Sequence, residues 1–129
     1  MSRHIHQEIE FKASPGRVYA ALTDAAQFST LTGGAPAEFS GEAGGTFTCF
    51  GGAIVGRQVE LAIDQRVVQA WRASNWPAGV YSIVKFELET VGAGTRLVFD
   101  QSGFPEAEAE HLADGWHKMY WEPIRKFLD

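Results

Sequence analysis

Residues 105–128 constrain this chain most. Their apolar side chains fall at Ala109, Leu112, Ala113, Trp116, Met119, Tyr120, Pro123, Ile124 and Phe127. Offsets of three and four place them on one stripe of a long amphipathic helix. Pro105 suits the first turn, where a missing amide hydrogen costs nothing. Glu106, Glu108 and Glu110 complement the positive end of the helix dipole, and Arg125 and Lys126 the negative end. Pro123 lies inside the pattern. It removes one hydrogen bond, so the helix should kink there or end its regular part. A stripe of this length needs a broad apolar surface to cover it.

The rest of the sequence reads as that surface. In residues 4–11, Ile5, Ile9 and Phe11 alternate with His4, His6, Glu8 and Glu10, which is the period of a half-buried strand. Ser14 and Pro15 then form a helix start, and Val18, Tyr19 and Leu22 carry a short helix to about Thr23. A second short helix is expected over 24–31, capped by Asp24 and broken at Gly33-Gly34. Strands follow at 37–39 and 46–50, with Gly44-Gly45 and Gly51-Gly52 as turns. A longer strand covers 54–63, with Val55, Arg57, Val59, Leu61 and Ile63 in one register. Further strands are expected at 66–73, with Val67 and Trp71 on one side, at 80–89 and at 95–101, where Leu97 and Phe99 point inward. No helical crossover separates these strands, so the sheet is antiparallel. The expected fold is α+β: a curved antiparallel sheet of about six to seven strands wrapped around a long C-terminal helix, with two short helices after the first strand. We expect residues 1–129 to form a single domain.

Composition limits the function classes. A chain of 129 residues that is 45% hydrophobic and 12% aromatic can build a core without disulfide or metal staples. The net charge of -5, with no Lys/Arg cluster, argues against nucleic-acid binding. The one cysteine, Cys49, cannot pair internally. The N-terminus lacks an apolar signal region, and no apolar run is long enough to span a bilayer. A cytoplasmic protein without membrane insertion is expected.

Several strings of residues carry a resemblance. They are Val18-Tyr19-Ala20-Ala21-Leu22-Thr23-Asp24, Gly44-Gly45-Thr46-Phe47, Trp71-Arg72 followed by Trp76-Pro77, Gly94-Thr95-Arg96-Leu97, Gly115-Trp116, and Tyr120-Trp121-Glu122. In this order and spacing the chain resembles the family of activators of heat-shock protein 90 ATPase. That family belongs to the START-like, birch-pollen-allergen-like (SRPBCC) superfamily of helix-grip folds. The stretch from Ile54 onward is especially similar to the C-terminal domain of the eukaryotic activator. That protein's separate N-terminal domain, which grips the chaperone's middle segment, has no counterpart in the sequence. The resemblance implies a cavity between sheet and long helix, which in relatives takes lipids, sterols, hormones or polyketides. It also implies an alternative role as a chaperone co-factor in the stress response. A third reading is a cyclase- or hydratase-type enzyme on the same fold.

Phe47, Trp71, Phe86, Phe99, Trp116 and Tyr120 are the expected lining of the cavity, and they serve equally well to fill a core. Arg57, in register with Val55 and Val59, is placed on the inner face, where a guanidinium would hold a ligand carboxylate. Its alternative is a strand-end arginine reaching water. Tyr81 and Ser82 are possible hydroxyls at the mouth. Trp76 is a lid, an interaction surface or packing against the sheet edge. His4, His6 and Glu8 share one strand face, but on the polar side and near a terminus, so no metal site is assigned. His111 and His117, six apart, do not share a helix face. Cys49 reads as a small buried residue. The glycine-rich stretch lacks the Lys-Ser/Thr of a phosphate loop, and no Gly-x-Ser-x-Gly elbow occurs. The expectation is a non-catalytic protein without cofactor, binding a small apolar ligand. The alternative partner is a chaperone, and the chain is a monomer or homodimer.

Overall fold

The computed structural model describes residues 4–129. Strand β1 (His4–Phe11) buries Ile5, Ile9 and Phe11 and exposes His4, His6, Glu8 and Glu10. Helix α1 (Pro15–Thr23) starts as its sequence dictates: the Ser14 side chain accepts the Arg17 amide, and Pro15 occupies the first turn. Asp24 caps α2 (Ala25–Leu31) by accepting the Ala26 and Gln27 amides at 2.9 and 3.3 Å. Gly33 and Gly34 follow with φ of 85° and 93°, a region that disfavours side chains.

The remaining strands are β2 (Glu38–Phe39), β3 (Thr46–Cys49), β4 (Ile54–Ala62), β5 (Arg66–Ala73), β6 (Ser82–Val91) and β7 (Gly94–Ser102). They form one antiparallel seven-stranded sheet in the order β1-β7-β6-β5-β4-β3-β2. Sequence neighbours pair throughout, except that the chain's first strand closes onto its last. The curved sheet faces the C-terminal helix, which is the α+β helix-grip arrangement.

Strand β4 departs from expectation. Gly56 lies opposite Trp71, and Gln58 opposite Gln69, so the even-numbered residues point inward. A bulge between Gln58 and Glu60 then shifts the register, and Leu61 meets the buried Val67. Val59 and Ile63 are left 51% and 73% exposed. The apolar alternation in 54–63 therefore marked the outer face over half its length. The inner face was hidden by a glycine and a glutamine. Gly56 is required there, because a Cβ would overlap the Ala70 carbonyl oxygen and the Phe47 ring.

The C-terminal helix also departs in detail. A 3-10 turn (Glu106–Glu108) leads into α3 (Ala109–Trp116). A π-helical turn (His117–Trp121) follows, and then α4 (Glu122–Leu128), with Pro123 in its first turn. The Glu122 amide bonds the His117 carbonyl, five residues back. The proline thus neither ends the helix nor leaves it regular. The wider turn before it accommodates the ring, as π-bulges do. The extra residue rotates the stripe. Tyr120 and Trp121 are both buried, followed by Ile124 and Leu128, while Met119 and Phe127 turn outward.

Candidate functional site at the open end of the helix cradle

Aromatic rings fill the space between sheet and helix. Trp116 sits 4.2 Å from Phe99, 4.3 Å from Tyr120 and 5.7 Å from Trp121, centroid to centroid. Phe86 contacts Phe99, Trp116, Tyr120 and Trp121. Phe28 of α2 closes the cluster against Tyr120. Such tilted, stacked and edge-on pairs are favourable beyond their buried area.

Three of the buried indoles, Trp71, Trp116 and Trp121, donate to polar partners on the sheet or helix. Trp116 Nε1 donates to Gln101 Oε1 at 2.7 Å, and Gln101 Nε2 donates to Ser82 Oγ. Ser82 Oγ in turn donates to the Trp71 carbonyl. Trp121 Nε1 donates to Gln7 Oε1 at 2.7 Å, and Gln7 Nε2 donates to the Ala113 carbonyl. Trp71 Nε1 donates to the Tyr120 hydroxyl at 3.3 Å, with Cys49 Sγ 3.9 Å away. Burial raises the Tyr120 hydroxyl well above the usual tyrosine range. Burial likewise pushes the Cys49 thiol up to about 12, so it is protonated and unreactive at neutral pH.

The rings leave a cleft of about 230 Å³ at one end. Its floor is Trp71, Trp116 and Tyr120, and its walls include Phe50, Ile54 and Trp76. Helix α3 supplies Leu112 and Gly115, and Met119 lies at the rim, half exposed. Nothing lies within 4 Å of where a Gly115 Cβ would stand. Asn75, Glu108 and His111 are the polar groups around the opening.

The seven expected lining residues divide into three groups. Trp71, Trp116 and Tyr120 line the cleft. Phe47, Phe86 and Phe99 are sealed in the core, no more than 2% exposed. Arg57 is a correction: it lies opposite Ala70 on the outer face and donates to the Gly44 carbonyl, because Gly56 and Gln58 take the inner positions. Ser82 is wholly buried in the indole network, and the half-exposed Tyr81 lies under the Arg72 guanidinium, so neither borders the opening. Trp76 is 5% exposed and packs edge-on against Trp71 at 5.7 Å. Arg72 holds the loop behind it by donating to the Trp76 and Pro77 carbonyls. Cys49 is buried, as expected.

The sequence reading missed Trp121 as a core residue and the glutamines that position both indoles. A strict helical stripe excludes position 121 once 120 is included, and a glutamine on an inward strand position reads as a break in the pattern. Among the acid–base candidates, Arg57 and the exposed His117 lie away from the cleft, and Tyr120 is committed to its indole partner.

Comparison with known proteins adds to this geometry. The model of one family, described as Activator of Hsp90 ATPase homolog 1-like protein, matches residues 12–129. The Activator of 90 kDa heat shock protein ATPase homolog 2 of Mus musculus is 33% identical over 94 residues, covering 73% of this chain and 28% of that protein. Homolog 1 of Homo sapiens is 28% identical over 116 residues, covering 90% of this chain and 34% of that protein. The chain therefore spans about a third of the length of these curated relatives. The crystal structure of an HSP90 activator from Plasmodium falciparum matches with a TM-score of 0.92 at 26% identity, covering 97% of this chain and 95% of that one. The solution structure of an Aha1 dimer from Colwellia psychrerythraea shares the fold, with a TM-score of 0.82 at 24% identity over 98% and 96% of the two chains.

Proposed function

Since the chain belongs to the family of Activator of Hsp90 ATPase homolog 1-like proteins, we propose that it is a non-catalytic co-factor that docks on a 90-kDa heat-shock ATPase through the open end of its helix cradle. The match over residues 12–129 carries the reading. The packing supports docking over engulfing a ligand. Phe47, Phe86 and Phe99 are closed in the core, and the remaining cleft, at about 230 Å³, falls below the roughly 300–1,000 Å³ of ordinary small-molecule sites. It has room for one apolar side chain of a partner. The half-exposed Met119 suits such a contact, because an unbranched thioether adapts to many shapes. The reading places the protein in the cytoplasm, beside its partner. No helix among the described residues is long and apolar enough to cross a membrane.

The test is the ATPase rate of the 90-kDa heat-shock chaperone from the same organism, titrated with this chain. A saturable change in rate is expected, weakened in a Gly115→Leu variant whose side chain fills the cleft. No change at saturating protein, or an equal effect from the variant, contradicts the reading.

The aromatic floor of Trp71, Trp116 and Tyr120 favours a second reading, in which a small flat apolar ligand occupies the cleft. Native mass spectrometry of gently purified protein tests it. A bound mass that disappears in Gly115→Leu supports it, and a mass equal to the denatured chain counts against it.

A further inference from the structure

On the opposite side of the sheet, β1 and β7 bring together three ligating groups. His4 and His6 are two apart on β1, so both project from its outer face. Asp100 lies directly across from His6 in the β1–β7 register. Its Oδ1 is 2.8 Å from His4 Nε2 and 2.7 Å from His6 Nδ1. The three donor atoms all lie within 4.8 Å of one another. In the sequence the two histidines share a strand face with Glu8, and nothing in the chain announces that Asp100 stands opposite.

We propose that His4, His6 and Asp100 form a surface site for one divalent transition-metal ion of the zinc–copper class. Two imidazole nitrogens and one carboxylate oxygen are the donor set such ions prefer, with the remaining positions open to water. The neighbouring carboxylate gives the second, independent observation. Glu8 Oε2 accepts from His6 Nε2 at 2.9 Å. That acceptor keeps the Nε2 proton in place, so the ion would take Nδ1, displacing the proton that Nδ1 donates to Asp100 Oδ1 in the ion's absence. A carboxylate behind a ligating imidazole is how protein metal sites fix the tautomer and ring orientation. Lys85 is registered across from Asp100 on β6, but its ammonium turns to Glu87, 3.4 Å away. The site is solvent-open: the side chains of His4, His6 and Asp100 are 55%, 49% and 22% exposed. No group of the cleft takes part, so this inference stands apart from the docking reading.

The experiment is calorimetric titration of the full chain, carrying no affinity tag, with zinc chloride, repeated with Co²⁺ and read by its visible absorption. One saturable equivalent is expected. His6→Ala and Asp100→Asn should each weaken it by roughly tenfold or more. Glu8→Gln should weaken it less, and His117→Ala, at an exposed histidine elsewhere, should leave it unchanged. All four positions lie outside the core, and thermal melts confirm that each variant is folded. Absence of saturable binding in the parent chain overturns the proposal. So does binding that survives both His6→Ala and Asp100→Asn.

Discussion

Trp116 and Trp121 fix the height and rotation of the C-terminal helix, because each indole is anchored to a glutamine of the sheet. Replacing Gln101 with Ala strands the Trp116 N–H in a site that is 2% exposed. An unsatisfied buried donor costs about 1–3 kcal/mol. Urea melts of Gln101→Ala should show a loss in that range, and a loss near zero would mean that water reaches the indole. Cys49 gives a second test at this scale. Its thiol, pushed up to about 12 by burial, should not react with a disulfide reagent at pH 8 until the chain is denatured. The sign of the pH linkage follows from the raised value. Cys49 favours the folded state below its ordinary value of 9.0, and that contribution is lost as pH climbs toward 12. Rapid labelling of the native protein would contradict the burial.

At the scale of elements, the strands and caps follow directly from the residues. Ser14 and Asp24 cap the helices they were expected to cap. The alternation in β1 and β7 gives the correct inner faces. The failures have physical causes that a period cannot express. The bulge in β4 shifts the register by one residue, and the π turn adds one residue to a helical stripe. The bulge puts the residues on its two sides in opposite registers, so Val59 faces out while Leu61 meets the core, and the extra helical residue turns Met119 out and Trp121 in. The cleft was half legible for the same reason: its floor residues were named, but its opening depends on Gly115 and Trp76. Two glycines test this account. Gly56→Ala should destabilise the protein severely, because its Cβ would overlap the Ala70 carbonyl. Gly115→Ala meets open space and should stabilise the helix by about 0.5–1 kcal/mol. Both are read from equilibrium unfolding. The opposite order of stabilities would mean that the local packing is misassigned.

For the whole molecule, the two faces of the sheet carry different chemistry. One side holds a closed aromatic core and an apolar cleft at its open end. The other holds charged rows that include the His4–His6–Asp100 cluster. That division is why docking is assigned to the cleft end and ion binding to the outer face. The central claim is that a 90-kDa heat-shock ATPase engages the cleft end. It is tested most directly by amide chemical-shift mapping of the ¹⁵N-labelled chain as unlabelled chaperone is added. The account predicts shifts or line broadening concentrated around Phe50–Ile54, Ala73–Trp76 and the Glu108–Met119 face of the helix, and their loss in Gly115→Leu. An unperturbed spectrum, or perturbation confined to the outer face of β1 and β7, would contradict it.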